Sequence, residues 1–233
     1  MFNDGGQDTR VVTVVSGKGG VGKSVLAVNL ATTLASGGRR VALLDADIGQ
    51  GSCAYLVGPG SPVQLITPDP ELDPADALDC LESQLILLRS QADLILIDAP
   101  AGIGPTVRWA LDRADAGLLV LVDEPTAVAD AYALAKLTWH HDSSYPLAGV
   151  VNMVDSALEA ADVMERFSAL TSHFLDRKIL YGGWVPFSGA VRASVRKQIP
   201  AIGESMAVAR AFEDLAGRVR CGLFQTLAPL AMN

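Results

Sequence analysis

Residues 16–24 read Ser-Gly-Lys-Gly-Gly-Val-Gly-Lys-Ser, four glycines and two lysines in nine positions. Such a stretch suits an oxyanion, which needs hydrogen-bond donors, positive charge and close approach of backbone. Gly17, Gly19, Gly20 and Gly22 remove the Cβ atoms that would hold an oxygen away. Around Val21 the loop can therefore wrap a phosphate. A helix starting near Lys23 and Val25 would aim its unpaired N–H groups at that anion. Lys23 can reach β- and γ-phosphates, and the Ser24 hydroxyl can ligate Mg²⁺. Lys18 is surplus to this arrangement, so it reads as a lysine directed at the phosphates of another molecule. The same glycines fit G-x-G-x-x-G, with Asp45 where a dinucleotide fold places its ribose-binding acid. Lys23-Ser24 favours a Mg-nucleotide triphosphate over that alternative.

Two further segments end in acids. Leu-Leu-Asp-Ala-Asp-Ile-Gly (43–49) closes an apolar run with Asp45 and Asp47, and Leu-Ile-Leu-Ile-Asp-Ala-Pro-Ala-Gly (94–102) closes another with Asp98. Mg²⁺ keeps several waters and is held by one or two carboxylates plus phosphates. Asp98 suits a water-mediated hold on Mg²⁺ opposite Ser24, and Asp47 suits orientation of an attacking water. Gly102 would let backbone approach a γ-phosphate, which makes 98–104 a switch sensing ATP against ADP. Taken singly, each acid also fits a strand-end residue capping a turn.

The elements that must position these residues follow from hydrophobic patterning. Short Val/Ile/Leu runs predict strands at Val11–Val15, Val41–Leu44, Val63–Ile66, Leu94–Ile97, Gly117–Val122, Leu147–Val151 and Tyr181–Val185. Helical patterns fall at 24–36, 74–90, 104–112, 126–141, 156–174, 188–198 and 204–220, with Gly37-Gly38 as a stop for the first. This alternation predicts an α/β fold, a single-domain doubly wound and mainly parallel sheet. Gly58–Pro74 reads as the longest surface loop. With 233 residues, 50% of them apolar, one core is the economical reading.

A formal charge of −8 argues against a broad nucleic-acid surface. No apolar run has the length of a membrane span, and residues 1–10 lack a signal-peptide core. Three cysteines, at 53, 80 and 221, are odd in number and widely spaced. They suggest a reducing compartment and argue against a metal or iron–sulfur site. Asn152, after a strand, can read an adenine edge or simply serve a turn. Arg192, Arg196 and Lys197 read as a solvated helix face, and His140-His141 as charges favourable at a helix C-terminus. The apolar residues of 221–233 allow either a membrane-interface segment or a tail returning to its own core.

Together these motifs resemble the MinD/ParA superfamily of deviant-Walker ATPases, P-loop NTPases, from about Arg10 to Gly217. Val-Pro-Phe (185–187) adds to this resemblance, and residues 124–136 (Glu-Pro-Thr-Ala-Val-Ala-Asp-Ala-Tyr-Ala-Leu-Ala-Lys) and 150–154 bring the chain nearest to the flagellar-number regulators, the FlhG/FleN subgroup. The resemblance implies ATP and Mg²⁺ as cofactors and an ATP-dependent homodimer in which Lys18 crosses to the partner's phosphates. It implies that Asp47 orients the hydrolytic water, Asp98 supports Mg²⁺, and Asn152 with Pro186 and Phe187 frames adenine. In the subgroup, the partners are a flagellar GTPase, switch-complex proteins and a transcription activator. The resemblance implies a cytoplasmic location with peripheral membrane contact, and the residue pattern itself divides an ATPase domain over 1–220 from an apolar extension at 221–233. Other readings within reach are a ParA-type DNA-partitioning ATPase and an iron- or metal-delivery ATPase, the latter needing paired cysteines. Ser52 and Ser188 depart from the Asn and Asp usual in these families, and the connection from Gly58 to Asp93 is shorter than their norm.

Overall fold

The computed structural model describes residues 9–48, 51–220 and 223. Seven strands form one parallel sheet: β1 (Arg10–Ser16), β2 (Val41–Asp45), β3 (Gln64–Ile66), β4 (Leu94–Ala101), β5 (Ala116–Leu121), β6 (Leu147–Val154) and β7 (Leu180–Pro186). Their order across the sheet is β3-β2-β4-β1-β5-β6-β7. β1 is therefore central, with Val12 opposite Leu96 on one side and Ala116 on the other. Every pairing is parallel. Parallel neighbours need crossovers, and the helices supply them.

Alternate residues of each strand feed two cores. Val12, Val14, Leu43 and Leu96 join α1 (Lys23–Ser36), α2 (Ser52–Val57) and α8 (Met206–Arg220) on one face. Val11, Val15, Leu44 and Ile97 join α3 (Pro74–Leu88), α4 (Pro105–Arg113), α5 (Pro125–His141) and α6 (Ala157–Leu175) on the other. Buried on both faces, these strands have no polar side to expose, which explains their near-continuous apolar sequence. α7 (Gly189–Lys197) and a 3₁₀ turn at Ala201–Gly203 complete the chain's described elements.

Each expected strand and helix has its counterpart within a few residues. α1 stops where expected, with Gly38 at φ 86. β3 interrupts the stretch expected as one loop from Gly58, and Asp73 caps α3 through the N–H groups of Ala75 and Asp76, so the loop after β3 ends one residue before Pro74. α2 was not expected. It is six residues long, bounded by Gly51 and Gly58, both at positive φ. The apolar stretch 221–233 lies outside the described residues apart from Leu223, which packs against the α1/α8 core.

Candidate functional site

The central strand delivers its loop at the carboxyl edge of the sheet, where neighbouring crossovers diverge and leave a crevice. After Ser16 the chain turns back, and the Ser16 hydroxyl donates to the Lys18 carbonyl at 3.0 Å. Gly20 and Gly22 have φ of 80° and 86°, in the left-handed region that side chains disfavour. Gly17 needs its missing side chain for another reason. A methyl there would overlap the main chain of Asp130 and Ala131 on α5. α1 then begins at Lys23 with Gly22 as its cap, no capping side chain and no acid in its first turn. Its leading N–H groups and its positive dipole end thus face the loop without competition.

The acids gather beneath. Lys23 Nζ lies 3.1 Å from Asp98 Oδ1, and both side chains are buried. Cys53 donates its thiol to Asp98 Oδ2 at 3.2 Å. Register places Asp45 beside Asp98. Asp45 accepts the N–H groups of Asp47 (3.1 Å) and Cys53 (3.0 Å). The potential ligand atoms of Asp45, Cys53 and Asp98 lie within 4.8 Å of one another. The wide spacing of the cysteines argued against a cysteine-bound metal, and α2 is what brings Cys53 beside Asp98. The cation at this cluster is Lys23's own ammonium. Burial, reinforced by Asp98 and Asp45, pushes the Cys53 thiol well up, so it stays protonated and donates. Burial also raises Asp47, against the pull of Lys23.

Asp45 is pushed up to about 6, first by burial and then by Asp98, despite two N–H bonds that favour its charge. Its unfolded value is about 3.9, so between pH 4 and 6 the folded state binds more protons than the unfolded. Stability from this group is full below that window and is lost as pH rises through 6. The expected loss is about 2–3 kcal/mol. Urea unfolding of nucleotide-free protein at pH 4.5 and pH 7 should show it. Asp45→Asn should flatten that pH dependence, whatever its absolute stability; equal slopes in the two proteins would show that Asp45 ionises normally.

Lys18 is brought to the rim of the loop but not over it. Its Nζ sits 2.8 Å from Glu124 Oε2 and 3.0 Å from Thr126 Oγ1, at the start of α5. Glu124 and Thr126 had no assigned role in the sequence, although they open the 124–136 segment. Gly102 has φ 93, and its N–H bonds the Ser16 carbonyl at 2.8 Å, tying segment 98–104 to the end of β1. Asn152 is buried and donates to the Val21 carbonyl at 2.7 Å, while its own Oδ1 accepts the N–H of Met153. Gly22, Val25, Asn152, Pro186, Phe187 and Arg192 line a cleft of about 140 Å³. The Arg192 guanidinium lies 5.7 Å from the Phe187 ring. Met153, at φ 61, joins this cleft without any sequence signal. Ser188, where an Asp is usual, caps α7 by accepting the N–H of Ala190.

Other candidates stay apart. On α7, Lys197 pairs with Glu204 and Arg192 turns to Phe187. His140 and His141 end α5, and His141 contacts Asp112. A donor-lined loop, a buried lysine and carboxylates at adjacent strand ends fit a magnesium-bound polyphosphate.

Comparison with known proteins gives the family. A family model described as "ParA: NUBPL iron-transfer P-loop NTPase" matches residues 7–86. The antiactivator FleN of Pseudomonas aeruginosa is 33% identical over 218 residues, covering 81% of this chain and 78% of FleN. This chain belongs to the MinD/ParA family. The flagellum site-determining protein YlxH of Helicobacter pylori is 29% identical over 227 residues, 84% of this MinD/ParA chain and 76% of its own. The MinD of Pyrococcus horikoshii, solved as a complex with Mg-ADP, shares the fold with a TM-score of 0.72 at 21% identity, over 95% of this chain and 100% of that one. MinD/ParA members are P-loop ATPases, and the residues of this member fit a Mg-nucleotide. When bound, that group supplies the reactive phosphoanhydride and its charge-neutralising metal.

Proposed function

We propose that this chain is a Mg-ATP-dependent switch that dimerises on ATP, hydrolyses it to ADP, and regulates the number or placement of flagella. The observation that carries the reading is the pair of lysines on one loop. Lys23 is sequestered on Asp98, whereas Lys18 is presented at the surface beside the loop. A lysine held there by Glu124 and Thr126 is placed to leave its own chain for the phosphates of a second copy. The flagellar part rests on the likeness to FleN and YlxH.

In this reading the loop Gly17–Ser24 with Val25 holds the phosphates, and Ser24 ligates Mg²⁺. Lys23 exchanges Asp98 for phosphate oxygens, which frees Asp98 to support the metal through water. Gly102 senses the γ-phosphate, and Asn152, Pro186 and Phe187 frame adenine. Phosphoryl transfer asks little more than this positioning and charge. The partners would be a second copy of the chain together with a flagellar GTPase, switch-complex proteins or a transcription activator. Residues 1–220 would form the ATPase domain and 221–233 an apolar extension that brings the dimer to a membrane face. Among the described residues no helix is long and apolar enough to cross a membrane. Light scattering with Mg-ATP and with Mg-ADP tests the switch, and flagellar counts in a deletion strain test its purpose. ATP-dependent binding to nonspecific DNA would favour the partitioning alternative. Lack of sedimentation with anionic liposomes in ATP would remove the membrane role.

Asp47→Ala should bind Mg-ATP normally and hydrolyse it about 100-fold more slowly, because orienting a water acts on the transition state. The dimer should then persist in ATP. Weakened ATP binding instead would make Asp47 a magnesium organiser.

A further inference from the structure

We propose that Cys53 is a positioning residue for the magnesium site: its thiol holds Asp98 Oδ2 and so leaves Oδ1 as the oxygen that serves the metal. This role rests on the Mg-nucleotide reading of the crevice and adds a residue to it. Four carboxylate oxygens meet where β2 and β4 end side by side. Asp45 Oδ1 accepts the Asp47 N–H at 3.1 Å, and Asp45 Oδ2 accepts the Cys53 N–H at 3.0 Å. Asp98 Oδ2 accepts the Cys53 thiol at 3.2 Å, and Asp98 Oδ1 faces Lys23 Nζ at 3.1 Å. Three of the four are thus held by groups that stay with the fold. The fourth is held by a lysine that phosphate oxygens would draw away, so Oδ1 of Asp98 is the one that opens.

A carboxylate turns easily about its last torsion, which is broad rather than sharply staggered. Asp98 is fully buried, and among the described residues Lys23 and Cys53 are the only hydrogen-bond donors to its side chain. Once Lys23 moves to the phosphates, the thiol alone fixes the plane of that carboxylate. Cys53 is itself firmly placed. It is fully buried in the first turn of α2, its own N–H is bound to Asp45, and α2 packs on α1 with Leu56 and Val57 in the same core. Groups that orient a metal's ligands from behind contribute about 10–100-fold to affinity. Cys53 belongs at the lower end, because a thiol is a weak donor.

Affinity of the full chain for a fluorescent ADP analogue, measured in EDTA and again in saturating Mg²⁺, tests this role. ADP avoids hydrolysis and ATP-driven assembly. The ratio of the two affinities is taken within one protein, so a general loss of stability cancels. The wild type should bind more tightly in Mg²⁺. Cys53→Ala should lose roughly tenfold of that gain, while its affinity in EDTA stays within about twofold of the wild type. Cys53→Ser restores a donor and should keep the gain to within about threefold. In infrared spectra, the S–H stretch that disappears in Cys53→Ala should lie at the low frequency of a hydrogen-bonded thiol and stay there when Mg-ADP binds. A full Mg²⁺ gain in Cys53→Ala, equal losses with and without Mg²⁺, or a thiol released by Mg-ADP would overturn the role of Cys53 and leave the nucleotide reading intact. So would a serine variant no better than alanine. A wild type whose ADP binding gains nothing from Mg²⁺ would overturn both.

Discussion

Gly17→Ala is expected to dismantle the phosphate loop. The added methyl would meet the carbonyl carbon and oxygen of Asp130 and the nitrogen of Ala131. These are main-chain atoms in the first half of a seventeen-residue helix that packs on the sheet, so no side chain can swing aside. Either α5 moves outward or the loop lifts off it. Overpacking of this kind costs about 3 kcal/mol. Whatever share appears as loop displacement is charged to the ligand too, so nucleotide affinity should fall roughly 100-fold. Gly19→Ala is the control, since nothing lies within 4 Å of a Cβ built there. It should leave unfolding within about 0.5 kcal/mol of the wild type. Denaturant melts paired with fluorescent-nucleotide titrations separate the two effects. If Gly17→Ala melts like Gly19→Ala, the loop does not dock on α5 as described.

Lys18→Ala should do the opposite, sparing the fold and removing the assembly. The Lys18–Glu124 contact is exposed at both ends, and pairs of this kind contribute about 0–1 kcal/mol. ATP binding by the single chain should persist, because Lys23 and the loop glycines remain. If Lys18 reaches across to a second copy's phosphates, ATP-dependent dimerisation should vanish. Hydrolysis should fall roughly 1,000-fold, as when a cationic residue supplied from a partner is lost. Size-exclusion with light scattering in Mg-ATP decides the matter. A Lys18→Ala protein that still dimerises in ATP contradicts the crossing lysine.

Much of this architecture is legible in the chain because its parts are locally encoded. The loop 16–24 carries its chemistry in consecutive residues, and β4 announces itself as an apolar run ending at Asp98. What escaped depends on contacts made far along the chain. α2 has six residues between two glycines, too short for a helical period to emerge. Cys53 looked like an isolated thiol because its partner is 45 positions away. The same distance problem hid Glu124 and Thr126, which meet Lys18 across more than a hundred residues.

The place of β1 in the sheet bears on how the protein is made. Its two hydrogen-bonded neighbours are β4 and β5, so residues 10–16 have no strand to pair with until residues up to Ala101 have left the ribosome, and are not flanked on both sides until Leu121 has. At roughly 5–20 residues per second, that is an interval of about five to twenty seconds. Throughout it, a glycine-rich segment and the valines beside it are synthesised but unhoused. Val11, Val12, Val14 and Val15, fully buried in the finished molecule, are then open to any hydrophobic surface nearby. Nascent-chain binding by a chaperone should therefore begin early and end soon after the middle of the chain emerges. Truncations ending before β5 should stay bound, and those ending beyond it should let go.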